Sequence, residues 1–340
     1  MLYTFWVSDS FILRNLPNKT YRMFLTTRIL RYCEFIFLLI FLLTPVISQA
    51  QVDTTYIKPY EHELSLKPHV YYKYTSLTHE IDDNNEVTYM PNSPVSLGLG
   101  VTYKNYSISG GYGFGFMRDK DQGKTAIFDF QYHYYGRKFI ADVFFQRYKG
   151  FYTEENDKVY LYPDIKIIQY GVFGQYVFNN KRFSYRAAFN QSEKQLKSAG
   201  SWQLGGGIYY NDVRSDSTLE FNGHRKLRNY QLSVSGGYVY NWIIGKNFYL
   251  SGGVSVGFNI GTENLSSFRK VEISPSVFPR ISMGYNADDW SIGLSVVVNQ
   301  IYVANSKLLR MTLNTGTMQI GYTKRFSVAP QFVKKIKYIN

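Results

Sequence analysis

The chain has 340 residues and a formal net charge of +13, and aromatic side chains make up 18% of it, with 32 Tyr and 25 Phe. That aromatic share, with 27 Gly and only 19% charged residues, fits neither an ordinary water-soluble domain nor a helical membrane protein, and points to an antiparallel all-β chain. The Lys and Arg residues are dispersed rather than set in one stripe, which argues against a nucleic-acid partner.

The first element is an export signal. Arg28-Ile-Leu-Arg31 is a basic n-region, 35–43 is a continuous apolar run, and Ser48-Gln-Ala50 supplies small residues for cleavage between Ala50 and Gln51. The run is shorter than the roughly 20 apolar residues that a membrane-spanning helix needs. Residues 23–50 make a signal of ordinary length starting at Met23, so 1–22 are expected to be a misassigned extension. The single cysteine, Cys33, precedes the apolar run, so it is no lipid-attachment residue, and a cleaved chain would contain no disulfide. Residues 51–63 are expected to be a periplasmic segment, 64–326 a barrel and 327–340 a basic tail.

From residue 64 onward, side chains alternate with period two. Strand 95–104 puts Val95, Leu97, Leu99, Val101 and Tyr103 on one face. Strand 106–116 puts Tyr106, Ile108, Gly110, Tyr112, Phe114 and Phe116 on one face. A tight Lys104-Asn105 turn pairs Tyr103 with Tyr106 and keeps the apolar faces together, and a slip of one residue would destroy that agreement. A Gly136-Arg137 turn would pair Tyr135 with Lys138 and set Gln131 opposite Asp142. A turn at 179–182 would pair Phe178 with Phe183 and Tyr176 with Tyr185. A turn at 286–289 would pair Tyr285 with Trp290 and Ile281 with Leu294. A turn near 245–247 joins 230–240 to 248–260. Lys104, Arg137, Lys138, Lys181, Arg182 and Lys246 then sit at turn tips, solvated or against phospholipid headgroups.

The second face of these strands is Ser, Gly, Thr, Asn and Gln, which suits a polar lumen. Aromatics flank the short turns like an interfacial girdle, and five apolar positions per strand cover roughly 23 Å at a tilt near 45°. The expected fold is therefore an all-β, transmembrane, antiparallel up-and-down barrel of about twelve strands, ten to fourteen being compatible with the pattern. The polar stretches 78–94, 151–164, 191–199, 211–229 and 261–275 are expected as long external loops. The stretch 183–240 breaks strict up-down parity. The last strand, Thr317 to Phe326, ends in an aromatic, the feature that the barrel-insertion machinery reads.

No H-E-x-x-H, G-x-S-x-G or phosphate-loop pattern occurs, and no cofactor or metal is expected. The best polar constellation is Asp129, Gln131, His133, Asp142 and Gln146 on the lumen faces beside Gly136-Arg137, with Arg137 at the turn. It could bind a ligand or move a proton, but a bracing polar network is the commoner use of such a cluster. No nucleophile is placed beside it, so no catalytic residue is assigned.

The segments Met90-Pro-Asn-Ser-Pro-Val-Ser-Leu-Gly-Leu-Gly100, Phe128-Asp-Phe-Gln-Tyr-His-Tyr-Tyr-Gly-Arg-Lys138, Tyr148-Lys-Gly-Phe-Tyr152 and Phe189-Asn-Gln-Ser-Glu-Lys-Gln-Leu-Lys-Ser-Ala-Gly200 resemble a family of Bacteroidota outer-membrane proteins classed as a domain of unknown function, the group numbered 4421. The resemblance runs from about Tyr56 to Phe326. It implies the barrel and the outer membrane of a diderm bacterium as its place, and brings no activity. The expected role is structural, ligand-binding or restricted passage of small molecules, in contact with outer-membrane lipid and lipopolysaccharide. The alternatives are an outer-membrane enzyme acting on lipid, lipopolysaccharide or peptide, and a periplasmic ligand-binding barrel with its apolar faces turned inward.

Overall fold

A computed structural model of the chain describes residues 52–82, 85–219, 221, 223–263, 271–305 and 309–326. The expected extension 1–22, the signal 23–50 with its cleavage point at Ala50 and Gln51, and the tail 327–340 lie outside the described residues. Among the described residues there are fifteen strands: β1 (Ile57–Pro59), β2 (Leu64–Asp82), β3 (Asn85–Tyr89), β4 (Ser96–Tyr103), β5 (Tyr106–Gly113), β6 (Ala126–Tyr135), β7 (Phe139–Glu155), β8 (Lys158–Val177), β9 (Glu193–Gln195), β10 (Ala199–Arg214), β11 (Lys226–Ile244), β12 (Phe248–Thr262), β13 (Val271–Asn286), β14 (Trp290–Asn305) and β15 (Arg310–Phe326). Twelve of them form a closed antiparallel ring, sealed by β15 pairing with β2 so that Phe326 meets Leu64. β3 folds back on the far end of β2, and β1 pairs with β9 in a separate two-stranded ribbon. Closure leaves no sheet edge in the ring, the condition for strands to cross a bilayer.

The faces sort as the alternation requires. Leu97, Leu99, Ile108, Trp202, Leu204, Ile208, Val234, Val256, Phe258 and Ile320 are all exposed on the outside. Gln203, Gln231, Ser233, Ser235, Ser251 and Asn259 are buried within the ring. An apolar outside that large is stable only in hydrocarbon. The inward-facing arrangement of a periplasmic binding barrel is thus overturned for the belt.

Register is right where the turn is tight and shifts by two where it is not. Tyr103 pairs with Tyr106 as expected. At Gly136, however, Tyr135 pairs with Ile140, not Lys138. The turn is wider because Arg137 is drawn inward to Glu193. His133, not Gln131, therefore lies opposite Asp142. Likewise Tyr285 pairs with Ile292 and Ile281 with Val296, because Asn286 pairs with Ser291 and the turn lies at 287–289. A shift of two preserves the faces, which is why alternation alone could not detect it.

Two larger expectations fail. Residues 183–190 are not a strand paired with β8. The neighbour of β8 is β10, with Val177 opposite Gln203, and Arg186–Asn190 form a single helical turn. Phe183 and Tyr185 are buried against Ile140, Val177, Ala199 and Val239 instead of facing outward. The whole connection 178–198 thus lies at the short-turn end, folded into the mouth, and the parity conflict disappears. The stretch 191–199, expected as an external loop, belongs to it.

Two of the expected external loops, 78–94 and 151–164, are also largely strand. β7 and β8 run on to a two-residue turn at Asn156-Asp157, where both residues have positive φ. β2–β3 is extended likewise, whereas β10–β11 and β12–β13 enter the expected loops only as far as Arg214 and Lys226, and Thr262 and Val271. A bulge at Gly150 switches the parity of β7, so that Phe151 and Thr153 point inward after Tyr148. Gly150 has φ +89, and a Cβ there would sit 2.5 Å from the Lys124 carbonyl oxygen. These extensions close over an interior layer drawn from opposite sides of the ring: Leu77, Val303, Met311 and Leu313 against Tyr148, Ile165, Ile167, Val213 and Leu227.

Candidate functional site

Between that apolar layer and the folded connection lies a cavity of about 260 Å³. Its wall includes Lys67, His69, Gln131, His133, Asp142, Gln146 and Arg280, with rings from Tyr135, Tyr185 and Phe189. The strands place these side chains by parity. On β13 the inward positions run Ser274, Ser276, Phe278, Arg280 and Ser282, so Arg280 is a charge set among three serines and one ring. On β6 and β7, register puts His133 and Asp142 face to face, and His133 Nδ1 lies 2.6 Å from Asp142 Oδ1.

The expected constellation splits into three. His133 and Asp142 form the pair just described. Asp129 instead makes a tight ion pair with Lys73, and Gln131 and Gln146 each donate to it at 3.4 Å. Asp129, Gln131 and Gln146 therefore brace the wall through Lys73. Arg137 joins neither group. It grips Glu193 with both guanidinium nitrogens, and Arg186 Nη1 adds a contact at 3.2 Å. Ser184 Oγ donates to the same carboxylate at 2.7 Å, and Glu193 is 1% exposed.

Arg137 is thus part of the inner seal, not of the cavity. The seal is tied at three further points. Gln191 accepts from Lys67 Nζ at 3.0 Å and donates to the Tyr249 hydroxyl at 2.7 Å. Arg325 on β15 donates to the Gln191 carbonyl, the Ala287 carbonyl and Ser291 Oγ, and lies 3.8 Å from the centre of the Tyr60 ring. Lys194 reaches Asn247 Oδ1 at 2.6 Å and Asp288 at 3.7 Å.

Lys67, His69, Lys73 and Arg280 escaped the sequence reading. The signal was present for Arg280, a charge on a polar small-residue face, and for Lys73, which alternates with Tyr72 and Tyr74. Pro68 obscured the same alternation at Lys67 and His69. Arg280 lies 5.5 Å from the Tyr185 ring centre and 5.7 Å from that of Phe189. Those two rings come from the connection, so no strand pattern could have placed them there.

The chemistry available is recognition of an acidic group. Arg280 and Lys67 face the cavity, and among the described residues neither is within ion-pair distance of a carboxylate. His133 is oriented by Asp142, but among the described residues no Ser, Thr or Cys is hydrogen-bonded to it, so a nucleophilic triad is not assembled. Among the described residues no group of three His, Cys, Asp or Glu converges as a metal site.

A family model described as a domain of unknown function, DUF4421, matches residues 51–326. No curated protein matches the chain. Three solved structures to which the chain is similar are remote from it. The toluene transporter TodX of P. putida is 7% identical, with 78% of this chain and 91% of that one covered and a TM-score of 0.31. The outer membrane protease OmpT of Escherichia coli is 7% identical, with coverage of 77% and 96% and a TM-score of 0.34. The translocator domain of the autotransporter NalP of Neisseria meningitidis is 12% identical, with coverage of 81% and 90% and a TM-score of 0.38.

Proposed function

The chain belongs to the DUF4421 family, whose membership carries no activity, and we propose from its lumen that it holds a small acidic molecule in an enclosed chamber of the outer membrane rather than conducting solutes. One observation carries this reading. The 260 Å³ cavity lies between two seals and presents Arg280 and Lys67 beside aromatic rings. A guanidinium and an ammonium there attract a carboxylate or phosphate, and the rings of Tyr185 and Phe189 accept a flat apolar portion. A twelve-stranded barrel is narrow in any case, and here both ends are filled by the chain itself.

We also propose, from the basic and apolar segment 23–50 and the family resemblance, that the protein resides in a Bacteroidota outer membrane after removal of a signal ending at Ala50. N-terminal sequencing of the protein from outer-membrane fractions would return Gln51 as the first residue, and any peptide from 1–22 would overturn the shorter start. Function is tested with the purified barrel. It is expected to show no steady conductance in planar bilayers and to carry a small anionic compound through purification, detectable by native mass spectrometry. Arg280→Gln together with Lys67→Gln would release that compound while leaving heat-modifiable migration on gels intact. Open-channel conductance in the parent protein would overturn the proposal.

A further inference from the structure

The outer surface carries a second arrangement. Just where the belt ends on the long-loop side, Phe130, Phe145, Tyr170, Tyr210 and Tyr230 lie in one row across adjacent strands. Tyr170 and Tyr210 are 4.7 Å apart at ring centres, and Tyr210 and Tyr230 are 4.8 Å apart. Two residues further along each strand, the row reads Phe128, Arg147, Ile168, Asp212 and Arg228. Two residues beyond that it reads Ala126, Lys149, Lys166, Arg214 and Lys226.

Six cations thus face outward on β7, β8, β10 and β11, immediately above an aromatic girdle, with Asp212 as the acid among them. Asp212 is spoken for: it takes both guanidinium contacts of Arg214 at 2.7 and 2.8 Å, Lys226 at 3.1 Å and the Tyr210 hydroxyl at 3.0 Å. Among the described residues, Arg147, Lys149, Lys166 and Arg228 make no ion pair with a carboxylate. Lys166 lies within electrostatic reach of three cations, Arg147, Arg214 and Lys149, and of one acid, Asp212. Like charges placed opposite one another on paired strands repel, so this register is costly unless an external anion lies across it.

The position identifies the anion. Both ends of the ring sequence, Leu64 and Phe326, meet at the opposite, short-turn end, which in outer-membrane barrels is periplasmic. The basic rows therefore stand at the outer leaflet, with exposed Phe145, Tyr170, Ile208 and Leu232 descending into the hydrocarbon below them. We propose that the β7–β8–β10–β11 face is a binding site for a phosphorylated saccharolipid of the outer leaflet, its phosphates on the basic rows and its acyl chains along the apolar wall. Arg and Lys on adjacent strands supply several charge-assisted hydrogen bonds to phosphate oxygens, and the girdle fixes the headgroup depth.

The test uses the whole purified barrel in a neutral detergent. Binding of bis-phosphorylated lipid A is compared with that of the same lipid stripped of phosphate, for the parent and for Arg147→Gln/Lys149→Gln/Lys166→Gln. A control, Lys138→Gln/Lys181→Gln/Lys246→Gln, removes the same charge from the short-turn end. Heat-modifiable migration confirms that each variant is folded. The parent is expected to bind the phosphorylated lipid at least tenfold more tightly than the stripped one. The basic-row variant is expected to lose that preference, and the control to keep it. Inorganic phosphate at the same concentration is expected not to displace the lipid. Equal binding of both lipids, full binding by the basic-row variant, or displacement by inorganic phosphate would each overturn the proposal.

Discussion

Below the row of rings at Tyr170, Tyr210 and Tyr230 the barrel wall is apolar outside and polar inside; above it the same strands are charged outside and apolar inside. The switch takes one step along the strand. Asn211, Gln169 and Asn229 face inward at one level, and Val213, Ile167 and Leu227 at the next. Outside, Tyr210 gives way to Asp212 and Arg214. Nothing about strand geometry changes across that step. What changes is the solvent outside, hydrocarbon below and water above, and each part buries whichever face its solvent rejects.

Charge placement breaks this contrast most severely. Leu313→Asp would bury an unpaired carboxylate in the outer apolar layer, where Leu313 is 1% exposed, and should cost about 4 kcal/mol or more. Thr315→Asp, one step lower on the same inward face and lining the polar cavity, should cost far less. Urea midpoints of the two refolded variants would compare them, and equal losses would mean that the layer is not dry.

The inner seal should be nearly as sensitive. Glu193→Ala leaves Arg137 and Arg186 without their carboxylate, at a cost of about 3–5 kcal/mol. Limited proteolysis from the short-turn side should then cut within 183–195, and resistance equal to the parent would show that the apolar contacts of Phe183 and Tyr185 hold the seal unaided.

On the outer wall, Val234→Lys near mid-belt should destabilise by about 2–4 kcal/mol in bilayers, while Arg228→Leu above the girdle should stay within about 0.5 kcal/mol. Similar effects at the two sites would put the membrane boundary elsewhere. Gly150→Ala should cost about 1–3 kcal/mol through its positive φ and the Lys124 carbonyl, readable as a lowered unfolding midpoint.

The smallest effect is confined to one loop of the extension. Asp164 Oδ2 accepts from Ser215 Oγ at 2.7 Å and from the amides of Asp216, Ser217 and Thr218, while Thr218 Oγ1 donates to Oδ1 at 2.7 Å. Partial burial pushes its pKa up, but the Ser215 and Thr218 hydroxyls and the Ser217 and Thr218 amides outweigh that and hold it well below the ordinary carboxylate range. A depressed folded-state value means that the stabilisation is complete above about pH 4, the usual carboxylate value, and fades only as pH falls toward the lower folded value. Amide exchange at 215–219 should therefore quicken in Asp164→Asn at pH 7. The difference from the parent should shrink below about pH 4, and a difference constant with pH would separate the loop from this carboxylate.

Alternation by itself determined the ring, because each strand between the girdles has a face for lipid and a face for the lumen, and a period of two cannot be mistaken over five positions. It also determined the pairing across Lys104-Asn105, where the turn leaves no slack. It could not determine a slip of two, which leaves both faces intact, and so misplaced Gln131 and His133 relative to Asp142. Nor could it see that Phe183, Tyr185 and Phe189, which alternate like a strand, fold into the mouth instead. That depends on Glu193, which neighbours Arg186 in the same connection, meeting Arg137 from a different strand pair. The outer layer was hidden for the same kind of reason: Leu77, Ile167 and Leu313 read as ordinary strand residues and Val213 fell in an expected loop, and only closure of the ring shows that they face one another rather than the membrane.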